Sequence, residues 1–115
     1  MLSLTLRANG RQHLVTALVD SGADVNVLPW SAGASLGFVW QPNKATIRVA
    51  GITQGAAMPV LLSVDFGDIA GATLAFAWCQ TDSVPLVLGQ TNFFMEFDIC
   101  FFRSRSEFQI VRRAA

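Results

Sequence analysis

The amino-acid sequence predicts an all-β domain, either a barrel or a sandwich. Three observations lead to this fold class. Apolar and polar residues alternate in short runs, which is the period-2 pattern of half-buried strands. Turns that contain glycine or asparagine separate these runs at short intervals. About eight or nine strands can be counted this way, with at most one or two helical turns, which suits an all-β architecture in 115 residues.

The first half of the chain opens with the clearest hairpin. Leu2, Leu4 and Leu6 alternate with polar residues, and Asn9-Gly10 follows as a turn in which both residues tolerate positive φ. A return strand is expected from about residue 11 to residue 19. Next come a short apolar strand at 25–28, which Pro29 ends, and a short helix or irregular turn at 30–37.

The second half contains a long predicted hairpin and a series of shorter strands. Strands at 44–49 and 58–66 flank a tip with two glycines, so the hairpin covers about residues 44–64. Turn residues at Gly67-Asp68 and Gly71 follow. The remaining elements are expected as strands at 73–80 and 84–89, a helical turn at 90–94, and strands at 96–102 and 107–111.

Composition and charge restrict the function. The formal net charge is zero, so nothing indicates nucleic acid or an anionic membrane as a partner. Hydrophobic residues make up 52% and charged residues 14%, an apolar balance for a small monomer, and part of the excess is expected in a subunit interface. No apolar run reaches the roughly 18 residues of a membrane span, and the first residues do not resemble a signal peptide, so a cytoplasmic location is expected.

Cysteine and histidine offer little chemistry in this chain. Cys79 and Cys100 are expected as small buried side chains in strands rather than as a disulfide, and neither has the spacing of a metal ligand. His13 is the single histidine and is expected to face solvent. The three tryptophans are expected to pack in the core or in an interface. No metal and no cofactor is therefore predicted.

The stretch ALVDSGADVNVLP, residues 17–29, carries the main functional signal. Its apolar strand runs directly into Asp20-Ser21-Gly22, and a carboxylate there is either part of a solvated turn or a reaction centre. Downstream, PLVLGQTNFF places a glycine after an apolar run, and RVAGITQGAAMPV lies between the two segments. The order and spacing of all three, over about residues 2–102, resemble the retropepsin-like aspartic proteases, which include viral, bacterial and transposon-derived members.

This resemblance implies a fold and a reaction. The fold would be a small closed barrel with a flap hairpin and one short helix, forming a single domain over residues 1–115. The reaction would be hydrolysis of peptide bonds by water, which one carboxylate activates as general base while a second, protonated carboxylate polarises the scissile carbonyl. Such chemistry requires no metal and no covalent intermediate.

The resemblance also implies roles for individual residues. Asp20 would be the catalytic carboxylate, the hydroxyl of Ser21 would link the two active-site loops, and Gly22 would let the backbone approach the substrate. Asp24 would help to bind the substrate main chain. Further substrate-binding positions would lie in a side-chain pocket, in the flap and in the walls of the subsites: Ala23; Ala50, Gly51 and Ile52; and Val27, Val84, Pro85 and Val87. Because these walls are apolar, hydrophobic residues are expected to flank the cut.

A single DSG motif implies a homodimer in which each subunit contributes one Asp20 at a two-fold axis. Viral members begin with a strand that takes part in the dimer interface, and this strand is not expected here, because the sequence begins with the strand at Leu2. A C-terminal hairpin at about 96–111 is expected to replace it, with an apolar face of Phe97, Ile99, Phe101, Phe108 and Ile110. A second departure is Gln90, which stands where viral members commonly have an arginine that braces the aspartate matched by Asp24.

Two main readings of the chain remain open from the sequence, besides a third in which it is a processed piece of a longer polyprotein or membrane-anchored chain, with self-cleavage as one of its functions. One is an active homodimeric aspartic endopeptidase with a peptide or protein substrate. The other is a retropepsin-like module that dimerises or binds peptides and cleaves little or nothing. The intact Asp20, Ser21 and Gly22 favour the enzyme, because a scaffold has no need of a paired carboxylate.

Overall fold

Six strands close a barrel in this computed structural model, which describes residues 1–20, 22–49, 55–89, 97–102 and 107–112. The last two ranges, and Ile69, are described by their backbone alone. The barrel confirms the predicted all-β class and decides between barrel and sandwich. Its strands are β1 (Leu2–Ala8), β2 (Arg11–Val19), β3 (Val27–Leu28), β4 (Met58–Phe66), β5 (Ile69–Trp78) and β6 (Val87–Leu88), in the spatial order β1-β2-β6-β3-β5-β4.

The β1–β2 hairpin forms as the sequence predicts. Asn9 and Gly10 both have positive φ, 54° and 72°, which is the backbone of the tight two-residue turn. The antiparallel register runs from Leu2 opposite Ala17 to Ala8 opposite Arg11. The side chain of Asn9 also donates a hydrogen bond to the carbonyl of Leu36 (2.9 Å), so the turn is fastened to the segment after the helix.

The short helix α1 (Trp30–Ser35) is confirmed within the predicted 30–37 segment. Its first turn is satisfied from a distant loop, because the backbone N–H of Ser31 donates to the Asp82 carboxylate at 2.8 Å. Gly33 lies directly against the indole of Trp78, where a Cβ atom would collide with the ring. Among the described residues, no helix is long and apolar enough to cross a membrane.

The prediction of a strand at 44–49 is wrong. A 3-10 helix at Pro42–Lys44 occupies its start, and among the described residues only one isolated antiparallel bridge, between Ile47 and Ala57, joins this segment to the returning chain. The local reason is that Pro42 fixes a helical φ at the first position of the turn, and the Lys44 N–H then bonds back to the Gln41 carbonyl at 2.9 Å. The second arm of the predicted hairpin, β4, is confirmed, and β5 begins four residues earlier than predicted.

Two hydrophobic clusters fill the described part of the barrel. The larger, here called the main core, contains the biggest fully buried side chains, including Trp78, Phe76 and Leu74. The smaller, here called the groove cluster, consists of short side chains against which Val25, Val49 and Val84 pack in part. Its buried members are Val27, Ala57, Ala77, Cys79 and Val87.

The C-terminal residues form a separate two-stranded antiparallel sheet of β7 (Phe97–Phe102) and β8 (Glu107–Arg112). Both strands lie where the sequence predicts them. The register places Ile99 opposite Ile110 and Phe101 opposite Phe108. The helical turn predicted at 90–94 lies outside the described residues.

Candidate active site

The candidate site is built around β6, which is only two residues long but pairs on both sides. It runs parallel to β2 and antiparallel to β3, so the loop that joins β2 to β3 must pass over the end of β6. Gly89 follows β6 at this point. A Cβ atom there would lie 2.5 Å from the Val25 carbonyl oxygen and 2.8 Å from that of Ala23. Only glycine lets the loop and β6 approach this closely.

Asp20 is the first residue after β2 and begins this loop. Its backbone N–H donates to the Leu88 carbonyl (3.0 Å), and its backbone carbonyl accepts from the Ala23 N–H (3.1 Å). Its carboxylate oxygen Oδ1 accepts a hydrogen bond from the Gly22 N–H at 2.9 Å. The turn is therefore held by both backbone and side chain, and the carboxylate stays exposed at the edge of the barrel.

A groove of about 460 Å³ opens beside this carboxylate. Asp20, Gly22 and Asp24 supply its polar lining on the side of the β2–β3 loop. Val84 and Pro85 border it from the segment before β6, and Val49 borders it from the segment before the predicted flap tip. The arrangement places one solvent-accessible carboxylate in a channel whose walls are mostly aliphatic.

Most of the predicted site residues meet in this groove. All but four of the twelve line it, and they come from segments more than fifty positions apart: Asp20, Gly22, Ala23, Asp24, Val27, Val84, Pro85 and Val87. The four others, Ser21, Ala50, Gly51 and Ile52, lie outside the described residues. The geometry brings the predicted residues together, and it leaves their roles as predictions.

Four residues of the lining and one beneath it are not marked by the sequence motifs. Val25, Val49, Ser83 and Arg48 also border the groove, and Arg48 is the one cation among its described lining residues. Asn26 was missed as well, although it is 1% exposed and hydrogen-bonded on both sides of its amide. A signal for Asn26 existed, because a polar residue stands in the middle of the apolar stretch 25–28.

Titratable groups near the groove differ in exposure. Asp20 and Asp24 are exposed, whereas Cys79, in the groove cluster, is buried, and that burial raises the pKa of its thiol. His13 is exposed on β2, as predicted. Among the residues that the structure describes, no three His, Cys, Asp or Glu side chains come together as a metal site.

In comparisons with known proteins, neither the family models nor the curated proteins gave a match to this chain. The geometry of the groove and the sequence motifs that form it therefore indicate its function.

Proposed function

We propose that the chain is a retropepsin-like aspartic endopeptidase that acts as a homodimer. One observation carries the proposal: the two motifs that resemble this family, some 65 residues apart in sequence, line the same groove, with the Asp20 carboxylate at its edge. An ordinary surface turn would have no reason to lie beside an aliphatic channel formed by a distant apolar strand. The closed six-stranded barrel also agrees with the fold of the family.

The proposed reaction uses two copies of Asp20, one from each subunit. Two neighbouring carboxylates cannot both be ionised at low cost, so the pair holds a single proton. The ionised carboxylate removes a proton from water, which attacks the scissile carbonyl carbon, while the protonated carboxylate donates a hydrogen bond to the carbonyl oxygen. The exposure of Asp20 and the hydrogen bond from the Gly22 N–H to Oδ1 support this role, because they leave the other carboxylate oxygen available.

The proposed substrate is an extended peptide with hydrophobic side chains on either side of the cut. Val27 and Val87 line the groove from the groove cluster, and Val84 and Pro85 line it from the preceding loop. Burial of an aliphatic substrate side chain against such walls contributes about 1.5–3 kcal/mol. Asp24 would accept hydrogen bonds from the substrate backbone, and Ala50, Gly51 and Ile52 would close over the peptide as a flap.

Proteolysis is tested by replacing the Asp20 carboxylate with an amide of nearly the same shape. Asp20→Asn should lower cleavage of a mixed peptide library by at least about 10²- to 10⁴-fold between pH 3.5 and pH 7, because the general base is lost. Asp68→Asn, in the exposed β4–β5 turn, removes the same charge away from the groove and should cleave like the wild type. Mass spectrometry of the products gives the sites and rates. Identical peptide maps from wild type and Asp20→Asn would refute the enzyme.

Dimerisation is tested at the β7–β8 sheet. A lone two-stranded sheet is marginal in water, so packing of its apolar face against a second copy would stabilise it. Ile110 pairs with Ile99 on one face, whereas Gln109 pairs with Cys100 on the other. Ile110→Asp should therefore give monomers in sedimentation, and Gln109→Asp should remain dimeric.

A deletion gives an independent test of the same interface. Removing residues 104–115 should abolish dimerisation and cleavage together, whereas removing only residues 113–115 leaves β8 intact and should preserve both. A chain that lacks residues 104–115 and still sediments as a dimer would contradict this assignment of the interface. Tight peptide binding without cleavage by the wild-type dimer would instead favour a binding module.

A further inference from the structure

Asn26 is the one polar side chain that is fully buried among the described residues. Burying a side-chain amide is unfavourable unless every donor and acceptor finds a partner. Asn26 Oδ1 accepts a hydrogen bond from the Gly89 N–H (2.8 Å), and Nδ2 donates one to the Ala75 carbonyl (2.9 Å). Because one partner is a donor and the other an acceptor, the amide fits in a single orientation.

The bond to Gly89 leads directly to the candidate catalytic residue. The Gly89 N–H and the Leu88 carbonyl belong to one peptide group, which is planar and rigid. On one side of this group, Asn26 accepts from the N–H, and on the other side, the carbonyl accepts from the Asp20 N–H at 3.0 Å. The position of the Asn26 amide is therefore transmitted to the Asp20 backbone through one rigid unit.

The opposite end of the amide is anchored to the barrel wall. Ala75, which accepts from Nδ2, lies in β5, and the backbone carbonyl of Asn26 also accepts from the Ala77 N–H of that strand at 2.8 Å. Asn26 is thus fixed to β5 by both side chain and backbone. The β2–β3 loop, the end of β6 and the wall of the barrel meet at this one side chain.

We propose that Asn26 is a positioning residue for Asp20: it clamps the Leu88–Gly89 peptide group and so fixes where the Asp20 carboxylate stands in the groove. This inference rests on the proposed peptidase function. Asn26 does not touch the groove itself, so it contributes no group to the reaction or to substrate binding. Its effect is expected in kcat rather than in KM.

Asn26→Asp tests the clamp, because the two protonation states of the introduced carboxyl group differ in hydrogen bonding. When protonated, this group keeps one acceptor for Gly89 and one donor for Ala75, as asparagine does. When ionised, it places an acceptor against the Ala75 carbonyl. The kcat of Asn26→Asp should be close to that of the wild type at the acidic end, and should fall about 10- to 100-fold below it towards neutral pH as the loop shifts. KM should change little.

Two controls accompany this variant. Asn43→Asp makes the same chemical change at an exposed position in the 3-10 helix and should keep the wild-type pH profile. Asn26→Leu fills similar space without hydrogen bonds and should be slow at every pH. The titratable and charged groups of the neighbouring groove and cluster are Asp20, Asp24 and Arg48 in the groove lining and Cys79 in the groove cluster. Because these groups are present in every protein compared, the ratio of the kcat of each variant to the kcat of the wild type removes their contribution to the pH dependence.

A second measurement does not depend on activity. When Asn26→Asp is titrated in an NMR experiment, the chemical shifts of the Gly89 and Asp20 backbone amides should change with the same pH midpoint. Wild type and Asn43→Asp should not show this shared transition. If Gly89 titrates with the introduced carboxyl group and Asp20 does not follow, the transmission through the peptide group is refuted, whether or not the protein cleaves peptides.

Kinetic outcomes separate this proposal from the enzyme assignment. A wild type that cleaves nothing overturns the peptidase function and, with it, any catalytic role for Asn26. An active wild type whose Asn26→Asp and Asn26→Leu variants keep its kcat per folded molecule, and lose only thermal stability, would show that Asn26 is structural. A kcat ratio for Asn26→Asp that does not change with pH would also overturn the proposal.

Discussion

The main core and the groove cluster lie in the same barrel but are stabilised in different ways. The main core is filled by large side chains such as Trp78 and Phe76, which interlock inside the barrel. The buried members of the groove cluster are alanine, valine and cysteine only, and the β2–β3 loop beside them is held by hydrogen bonds from Asp20 to Leu88 and from Gly89 to Asn26. Close packing of large side chains stabilises the main core, whereas hydrogen bonds to the backbone hold the loop beside the groove cluster.

This difference shows how a small barrel can hold a carboxylate at its edge. Short side chains leave the open volume that becomes the groove, and they cannot by themselves fix the position of a loop. Hydrogen bonds are directional, so they define the loop geometry where packing is thin. We therefore expect substitutions in the main core to change stability and substitutions around the groove cluster to change activity as well.

The largest effect is expected for Trp78→Ala in the main core. Its indole is fully buried, stacks on Trp30 with ring centroids 4.7 Å apart, and donates from Nε1 to the Trp30 carbonyl. Removing it should lower the free energy of unfolding by about 3–5 kcal/mol. Urea denaturation measures this loss. Retention of stability within about 1 kcal/mol would show that the main core does not depend on interlocking.

Gly89→Ala should disrupt the packing of the β2–β3 loop beside the groove cluster. Its new methyl group would collide with carbonyl oxygens of the loop, which are backbone atoms and cannot rotate away. We expect a stability loss of about 1–3 kcal/mol together with a loss of most cleavage, because the Asp20 turn is displaced. Gly67→Ala is the control: its Cβ would meet open space at a φ of 56°, so it should cost about 1 kcal/mol and leave cleavage unchanged. Full activity in Gly89→Ala would contradict the close approach.

A matched pair of valines, one in each region, tests whether burial contributes equally to stability in the main core and in the groove cluster. Val64 is fully buried in the main core, and Val87 is nearly so in the groove cluster but borders the groove. Val64→Ala should cost about 2–3 kcal/mol, and Val87→Ala about 1 kcal/mol less, because water can enter the space beside the groove. Thermal or urea unfolding of both variants measures the difference. Equal losses would mean that the groove is closed to water.

Cys79 gives the smallest predicted effect, in the dependence of stability on pH. Burial raises the pKa of its thiol above the ordinary value of 9.0, so above that pH the unfolded chain releases this proton while the native protein retains it. Stability should therefore fall as pH rises through that value. Between pH 7 and pH 9.5 the wild type should lose more stability than Cys79→Ala, which lacks this thiol. Parallel losses would show that the thiol is accessible to water.

The sequence predicts the fold best where local chemistry decides it. Alternation in β1 and the Asn9-Gly10 turn are local signals, and the observed hairpin agrees with them residue by residue. The error at 44–49 has the opposite cause. Alternation of Ile47 and Val49 resembles a strand, but a strand needs a continuous partner, and in the described part of the chain this segment pairs through the Ile47–Ala57 bridge alone. Pairing between distant segments cannot be seen in a local pattern.

The candidate site shows the same limit. Asp20, Gly22 and the apolar walls could be predicted because motifs in the sequence mark them. Asn26 stands out as a polar residue in an apolar stretch, but its role could not be predicted, because that role is set by Gly89, which lies 63 positions away. Arg48 was likewise missed, since only the folded chain shows that it borders the groove. Residues that act through a distant backbone group carry little signal in their immediate neighbours.

The three tryptophans of the chain lie together, and this has a consequence for spectroscopy. Trp30 stacks on Trp78, and Trp40 meets both edge-on, with ring centroids 5.9 Å and 5.6 Å away. The chain has no tyrosine, and none of the three indoles lines the groove. Intrinsic fluorescence and near-ultraviolet dichroism will therefore report melting at the helix-bearing end of the barrel and stay nearly silent when a ligand enters the channel, unless an indole is engineered there.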